Sequence, residues 1–153
     1  MPRAHEPAET PMELAFAQAR LAAARGEVPV GAVIMRNSEM LAADGNRTLE
    51  LKDPSAHAEM LVIRQAAARI GSERLIGCDL YVTLEPCPMC VGAISFARLR
   101  RLYFGASDPK GGAVENGVRL FASPTCHHVP EVYGGLGEQE AATLLRDFFK
   151  ARR

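Results

Sequence analysis

Blocks of apolar residues, separated by short polar or glycine-containing segments, predict alternating helices and strands along this chain. The first block follows Thr10-Pro11-Met12-Glu13, which combines a capping box with proline at the first helical position. It predicts a helix that runs to about Arg25. Two strands are expected next, one over residues 30–35 and one that leads to Asp44-Gly45-Asn46, and the short turn between them predicts a hairpin.

The second half of the chain continues this order. Further helices are predicted at about 56–70, about 88–97 and 138–150, and further strands at 79–84, 101–104 and 128–132, with a glycine-rich loop at 106–112. Strands joined by helices are expected to be parallel neighbours, whereas the hairpin adds an antiparallel pair. The pattern therefore predicts the α/β class, with a mixed sheet of about five strands between layers of helices.

The length and composition predict one ordinary domain. The chain has 153 residues, 48% of them hydrophobic, which is enough to build a hydrophobic core without stabilising cross-links. Residues 1–9, rich in Pro, Ala and Glu, are expected to be a loose leader, and residues 10–153 a single domain. No apolar run has the length of a membrane span, and the first residues lack the apolar region of a signal peptide. We expect a cytoplasmic protein with no membrane partner.

Cysteines and charges refine this expectation. Of the four cysteines, Cys87 and Cys90 are spaced for a metal, and Cys78 and Cys126 are expected to be small buried side chains, which fits a reducing compartment. The net charge of zero argues against nonspecific binding of nucleic acid. The last residues are nevertheless basic, with Arg146, Lys150, Arg152 and Arg153 near Asp147. Without other information, this is more typical of a solvated helix end.

Two motifs supply metal-binding chemistry: His57-Ala58-Glu59 and Pro86-Cys87-Pro88-Met89-Cys90. They offer three good zinc ligands, His57, Cys87 and Cys90, and one spare carboxylate, Glu59. Closed structural zinc sites usually have four protein ligands, whereas catalytic sites have three and leave one position for water. The pattern therefore favours a zinc hydrolase.

The ligands are expected to meet at two helix starts. His57 and Glu59 are two residues apart and cannot share a helical face, so they converge only if the site lies off the end of the helix. Asp53-Pro54-Ser55 supplies cap and first-turn signals for that helix. Cys87 and Cys90 are neighbours on the first turn of the next one, where the helix N-terminus favours thiolates.

Several residues have a second interpretation. A structural zinc site would need a fourth ligand, for which Cys126, His127 and His128 are the local candidates, but adjacent histidines in a strand point to opposite faces. Glu85 is a rival to Glu59, although a carboxylate before a helix more often provides favourable charge at its N-terminus. Asn46, taken alone, is more typical of a turn. Phe148 and Phe149 cannot share a helical face, so one is expected in the core and the other exposed.

The chain resembles the bacterial tRNA adenosine deaminases of the cytidine deaminase-like superfamily. The similar segments are Glu27-Val28-Pro29-Val30-Gly31-Ala32-Val33, Gly45-Asn46-Arg47, Asp53-Pro54-Ser55-Ala56-His57-Ala58-Glu59, Leu80-Tyr81-Val82-Thr83-Leu84-Glu85-Pro86-Cys87-Pro88-Met89-Cys90, Arg101-Leu102-Tyr103-Phe104-Gly105-Ala106 and Asp147-Phe148-Phe149. The zinc motifs are common to the superfamily. The loop containing Asp108 and Lys110 and the Asp147-Phe148-Phe149 ending resemble the tRNA-acting branch. The resemblance implies the three-layer α/β/α cytidine deaminase-like fold.

The resemblance also implies a reaction. One Zn²⁺ per subunit would be held by His57, Cys87 and Cys90, with a water in the fourth position. Glu59 would move a proton from that water to N1 of the adenine as C6 is attacked, giving inosine and ammonia. Asn46 would hydrogen-bond the base, and Val28, Ala58, Leu84 and Pro86 would belong to its pocket.

The implied substrate is the adenosine at wobble position 34 of a tRNA anticodon loop, where a base is free to splay out. Asp108, Lys110, Phe148, Phe149 and Arg152 occupy the positions at which the family meets the anticodon stem-loop, and the family is homodimeric. Two alternatives remain open at this point. One is a small-molecule deaminase of guanine, cytosine or cytidine with the same zinc chemistry. The other is a zinc-stabilised binding module without turnover, in which Glu59 would be dispensable.

Overall fold

The computed structural model describes residues 9–152, and the expected leader lies outside this range except for Glu9. The described part contains helices α1 (Pro11–Ala24), α2 (Ala58–Ile70), α3 (Pro88–Phe96) and α4 (Glu138–Lys150), strands β1 (Gly31–Arg36), β2 (Glu39–Gly45), β3 (Cys78–Leu84), β4 (Arg101–Ala106) and β5 (Glu131–Tyr133), and a 3₁₀ turn (Leu120–Ala122). Between residues 9 and 152, no helix has the length and apolar character needed to cross a membrane.

The strands form one mixed sheet in the order β2-β1-β3-β4-β5. The pairs β2/β1 and β1/β3 are antiparallel, and β3/β4 and β4/β5 are parallel. Strands β3 and β4, joined by α3, are parallel neighbours as expected. Strands β2 and β3, joined by α2, are not neighbours, because β1 lies between them. The expectation that helix-joined strands pair directly is wrong for this crossover.

Helices cover both faces of the sheet, which confirms the three-layer α/β/α fold. Alternate residues of the strands face opposite layers. One face packs against α2 and α3, where Val62 and Ile94 join Leu80 and Phe104 in the larger core cluster. The other face packs against α1 and α4, and its cluster includes Phe16 and Ala141. The pocket described below opens at the end of the sheet where β3 is followed by α3.

Helix α1 begins at the expected capping box, in which Thr10 Oγ1 accepts a hydrogen bond from the Glu13 N–H and the Glu13 carboxylate accepts one from the Thr10 N–H.

Glycine permits a close approach between this helix and the sheet. A Cβ at Gly31 would lie 2.0 Å from the carbonyl oxygen of Ala15. The helix therefore lies directly on the start of β1.

The last strand is shorter and later than the sequence suggests. A strand was expected over residues 128–132, but β5 covers only Glu131–Tyr133, where it pairs with β4. His127 and His128 therefore lie in an irregular segment, so the alternation expected of adjacent histidines in a strand does not apply. The ring nitrogen Nε2 of His128 lies 2.6 Å from the carbonyl oxygen of Leu99. Cys126 is half-buried rather than buried, in contrast to Cys78.

Candidate active site

His57, Cys87 and Cys90 converge at the starts of α2 and α3. His57 is the N-cap residue of α2 and Cys87 that of α3, while Cys90 lies in the first turn of α3. The Sγ atoms of Cys87 and Cys90 each lie 3.6 Å from Nδ1 of His57. All three donor atoms lie within 4.8 Å of one another, and they are the group with metal-ligand spacing found among residues 9–152.

The geometry of these donors fits tetrahedral zinc. Zinc–nitrogen bonds of about 2.0–2.1 Å and zinc–sulfur bonds of about 2.3 Å place the two donor atoms about 3.6 Å apart at a tetrahedral angle. The His57 Nδ1 to Sγ distances of 3.6 Å match this separation. Three protein donors leave one of four positions for a small molecule, which is the arrangement of catalytic zinc sites.

The start of α2 differs from the expected one. Asp53 does not cap the helix: its carboxylate accepts hydrogen bonds from the N–H and Oγ of Ser55, at 2.9 and 2.7 Å, and closes a local turn. The N-cap is His57, whose side chain makes no capping hydrogen bond and takes part in the metal-binding cluster instead. The two residues His57 and Glu59 therefore lie at the open end of the helix, as the spacing argument requires.

The two cysteines influence each other's ionisation. Hydrogen bonding from Cys90, together with that from His57, lowers the pKa of the Cys87 thiol to about 4 against the opposing effect of burial. The Cys87 sulfur and burial raise the pKa of the Cys90 thiol. Without metal, the protein therefore favours the thiolate form of Cys87 only. A bound divalent cation favours the thiolate form of both cysteines, because thiolates are its ligands.

Glu59 is a buried carboxylic acid beside the cluster, with 4% of its surface exposed. It lines the same pocket as His57 and Cys87 but is not one of the three clustered ligands. Burial raises the pKa of its carboxyl group. A buried acid with a raised pKa, next to a metal site, has the properties of a proton carrier.

The pocket above the cluster has a volume of about 320 Å³. Its walls are formed by the predicted site residues Val28, Asn46, Leu84 and Asp108, and also by residues that the sequence did not single out, Val30, Thr48 and Gly111. The Asn46 side-chain oxygen Oδ1 accepts a 2.8 Å hydrogen bond from the backbone N–H of Ala58. The pocket therefore combines apolar walls with a few polar groups, as is typical of small-molecule and base sites.

Glu85 also borders the pocket, but its carboxylate is engaged elsewhere. It accepts hydrogen bonds from the backbone N–H groups of Asp108, Val114 and Asn116, among others. Burial opposes ionisation, but these hydrogen bonds prevail and lower the pKa of Glu85. A carboxylate held in its ionised form by backbone donors is a poor rival to Glu59 as a proton carrier. The sequence favoured a simpler role for Glu85, a favourable charge at the start of α3. The hydrogen bonds from the later loop add a second role.

Comparison with known proteins identifies the family. Residues 5–106 match the family model of the cytidine and deoxycytidylate deaminase zinc-binding region. The tRNA-specific adenosine deaminase of Agrobacterium fabrum is 62% identical over 142 residues, covering 93% of each chain. That of Bacillus subtilis is 43% identical over 142 residues, covering 93% of this chain and 88% of the relative. This chain belongs to the tRNA-specific adenosine deaminase family. As a member of this zinc-binding deaminase family, it is a hydrolase.

Solved structures agree with the family assignment. A structure from a study of A-to-I editing by tRNA:A34 deaminases at the wobble position superposes with a TM-score of 0.87, at 62% identity, covering 88% of this chain and 98% of the other. A guanine deaminase from Bacillus subtilis superposes with a TM-score of 0.64 at 32% identity, covering 96% and 94%. The tRNA-specific adenosine deaminase family and small-molecule deaminases thus share this fold.

The other predicted site residues surround the pocket rather than line it. Lys110 is exposed in the loop next to Asp108 and Gly111. Phe148 is buried and Phe149 is 49% exposed, so the pair divides between core and surface as expected. Phe149 lines a neighbouring groove that shares Val28, Leu84 and Asp108 with the pocket.

Arg152 and Pro86 make contacts outside the pocket. The Arg152 guanidinium stacks on the Phe148 ring, 3.5 Å from its centroid, and Nη1 donates to the Phe148 carbonyl oxygen at 3.3 Å. Pro86 is buried, and its carbonyl oxygen accepts a 2.9 Å hydrogen bond from the Ala113 N–H. Neither residue lines the pocket itself.

One buried residue near the site was missed by the sequence argument. Glu27, 1% exposed, accepts hydrogen bonds from the N–H groups of Leu49 and Glu50 and from the Thr48 hydroxyl. It thereby holds the segment that follows Asn46. The sequence signal for Glu27 was its position in the segment Glu27-Val28-Pro29-Val30. No helix or strand periodicity in this segment predicts that the glutamate is buried.

Proposed function

We propose that this chain deaminates adenosine to inosine at wobble position 34 of a tRNA anticodon loop. The observation that carries the proposal is the pocket itself, in which three zinc donors, the buried acid Glu59 and the amide of Asn46 meet. The relatives named tRNA-specific adenosine deaminases support the choice of substrate. The reacting base is expected to enter this pocket.

His57, Cys87 and Cys90 are proposed to hold one zinc ion per subunit. The support is the donor set, one imidazole nitrogen and two sulfurs at tetrahedral zinc spacing. When bound, zinc supplies Lewis-acid chemistry that makes hydroxide available near neutral pH.

Glu59 is proposed to carry the proton. It would take one proton from the attacking water and deliver it to N1 of the adenine as the C6–O bond forms. It would then take the proton of the new C6 hydroxyl and deliver it to the amino group, so that the C6–N bond breaks, C6=O forms and ammonia leaves. Its burial favours this role, because burial raises the pKa of the carboxyl group and so makes the protonated form that donates a proton easier to reach.

Asn46, Val28 and Leu84 are proposed to hold the base, together with Ala58 and Pro86 near the zinc ligands. The bond from Ala58 to Oδ1 of Asn46 leaves the Nδ2 group of Asn46 as a donor for a ring nitrogen of the base. Val28 and Leu84 are partly buried apolar side chains at the pocket wall. Such walls contact the faces of a flipped base.

The anticodon stem-loop is proposed to contact the rim. Lys110 and Phe149 are exposed beside residues that line the pocket, Arg152 is exposed just after α4, and Asp108 lines both the pocket and the neighbouring groove. An exposed aromatic ring offers stacking to a base, and the cations offer contacts to phosphates. A tRNA substrate also supports our proposal that the protein acts in the cytoplasm.

We infer that the enzyme is a homodimer built from one domain, residues 10–153. Support comes from apolar side chains exposed on one side of α3: Met89 and Phe96 are 38% and 74% exposed, and residues seven apart share a helical face. Val118, two residues before the 3₁₀ turn, is 66% exposed. Sedimentation equilibrium of the wild type and of Phe96→Asp tests this: a dimer that becomes monomeric supports the inference, and a monomeric wild type contradicts it.

The activity is tested by measuring inosine at the wobble position of a tRNA with an ACG anticodon, using zinc-loaded protein. Ammonia release from free adenosine, cytidine and guanine is measured beside it. Inosine from the tRNA alone is the expected result. Ammonia from a free base or nucleoside alone would keep the zinc chemistry and overturn the tRNA substrate, as in the guanine deaminase with the same fold.

A further inference from the structure

One buried carboxylate holds the whole segment 107–116. Glu85 lies directly after β3 and is 2% exposed. Its Oε1 accepts hydrogen bonds from the Asp108 N–H at 2.9 Å and from Asn116 Nδ2 at 2.7 Å. Its Oε2 accepts from three successive N–H groups, those of Val114, Glu115 and Asn116, at 3.0, 3.0 and 3.1 Å. Both ends of the segment are therefore attached to one side chain.

The segment lies so close to this carboxylate that one position admits no side chain. A Cβ at Gly112 would lie 2.4 Å from both Cδ and Oε2 of Glu85. The contact is below any normal van der Waals separation, so glycine is required there by space. Gly112 is buried, and its own N–H donates to the Asp108 carbonyl oxygen at 2.9 Å.

Part of the segment forms a wall of the pocket. Asp108 and Gly111 line the pocket, as do Asn46 and Thr48 of a second loop. The segment contains no helix or strand. Of its hydrogen-bond partners, the Glu85 carboxylate accepts from the largest number of its donors. The residue that fixes this wall thus lies two positions before the zinc-binding side chain of Cys87.

We propose that Glu85 is a positioning residue that holds segment 107–116 in its substrate-binding conformation, an inference that rests on the proposed function. Without the carboxylate, the part-buried N–H groups of Val114, Glu115 and Asn116 lose their shared acceptor, and the loss of these hydrogen bonds favours other conformations of the loop. The RNA must then order the wall as it binds. The loss appears in KM, whereas Glu59 and the zinc ligands keep their places.

Three variants disturb the contact from different sides. Glu85→Gln replaces one acceptor oxygen by an amino group that faces N–H donors. Gly112→Ala leaves every charge unchanged and displaces the segment sterically. Asn116→Ala is the mildest, since it removes one donor and leaves the backbone bonds. The matched control is Asp79→Asn, a buried carboxylate on the same strand that binds Arg100 at the far end from the pocket.

Kinetics with an anticodon stem-loop supply the first readout. For Glu85→Gln and Gly112→Ala, KM is expected to rise on the order of tenfold or more, the effect of about one lost hydrogen bond. We expect kcat at saturation to stay within about threefold of the wild type, and zinc content to be unchanged. Asn116→Ala should shift KM in the same direction by less, and Asp79→Asn should not shift it.

Hydrogen exchange of the zinc-loaded proteins supplies the second readout and needs no activity. The amides of Val114, Glu115 and Asn116 should exchange faster in Glu85→Gln and Gly112→Ala, while α1 and the Asp79→Asn control stay at wild-type rates. Unchanged exchange in the segment, or faster exchange spread over the whole fold, would overturn the proposal, as would a fall in kcat without a rise in KM. If the wild type forms no inosine, the proposed function fails, and the exchange data still decide whether Glu85 holds the segment.

Discussion

The side-chain oxygen of Asn46 accepts a hydrogen bond from the backbone N–H of Ala58, the residue that follows His57 of the metal-binding cluster. The bond fixes the orientation of the amide, because an N–H can donate only to the oxygen of Asn46 and not to its amino group. It also satisfies one of the free N–H groups at the start of α2. The amino group of Asn46 is then the part available to a base.

Asn46→Asp separates these two roles. The aspartate still accepts from Ala58 but presents an oxygen where the base meets a donor. We expect kcat/KM for inosine formation to fall about tenfold to a hundredfold, the loss of one hydrogen bond to a buried polar group. Zinc content and melting temperature should stay near the wild type. Asn46→Ala should lower both activity and melting temperature, and full activity of Asn46→Asp would contradict the assigned contact.

Glu59→Gln removes the proton carrier and keeps the shape of the side chain. We expect a loss of about 10²–10⁴-fold in kcat, the usual contribution of general acid–base catalysis, and a larger loss for Glu59→Ala. Both variants should fold and retain zinc, since Glu59 is not one of the three clustered ligands. Single-turnover rates with metal analysis of the same samples check this. Undiminished turnover would remove Glu59 from the mechanism and favour a binding module.

Removal of a zinc ligand should have a different signature from removal of Glu59. His57→Ala, Cys87→Ala and Cys90→Ala are each expected to lose bound zinc, activity and melting temperature together, because metal binding stabilises the folded state. A chelator should lower the melting temperature of the wild type and leave these variants unaffected. Cys126→Ala is the control, a half-buried cysteine away from the cluster. Retention of zinc by a ligand variant would show that the metal is held elsewhere.

RNA binding should depend only weakly on salt. The net charge is zero, and the exposed cations proposed to lie at the rim are Lys110 and Arg152. Each phosphate contact with single-stranded nucleic acid contributes about −0.7 to the slope of log K against log salt, so two contacts predict about −1.4. Titrations of an anticodon stem-loop between low and physiological salt measure this slope. Arg152→Ala should make it shallower by less than one, and a slope steeper than about −4 would indicate a further basic surface.

The meeting of His57, Cys87 and Cys90 was predictable because its signals are local. Proline and strand patterns place His57 and Cys87 at helix starts, and the two-residue spacing of His57 and Glu59 excludes a shared helical face. The capping box at Thr10 is equally local. The limits of such signals appear at Asp53, which has the residue type of a cap but closes a turn with Ser55 instead.

The roles of Glu85 and Glu27 were not predictable from local signals. Each gathers backbone donors from a loop more than twenty positions away, for example Asp108 to Glu85 and Leu49 to Glu27. Only the folded loops reveal these partners. The same reason applies to β5, since three residues are too few for a periodic pattern and the strand exists through its pairing with β4.

Glu27 gives the fold a dependence on pH that can be measured. Burial opposes its ionisation, but hydrogen bonds from the N–H groups of Glu50 and Leu49 and from the Thr48 hydroxyl, with the charge of Arg25, together lower the pKa of Glu27 below its ordinary value of 4.5. A carboxylate with a lowered pKa in the folded state stabilises it fully above the unfolded pKa. That stabilisation is lost as the pH falls through the folded pKa.

Glu27→Gln removes this titrating group and one of the two oxygens that accept from the N–H groups of Leu49 and Glu50, so it should lower the free energy of unfolding by about 1–3 kcal/mol at neutral pH. The difference between wild type and variant should be constant from pH 7 down to about 5, and shrink as the pH falls below 4.5 because the wild-type carboxylate becomes protonated. Urea unfolding of both proteins at each pH measures it, and protonation of the zinc ligands cancels in the comparison. A difference that grows in acid would mean that Glu27 is not held as a carboxylate.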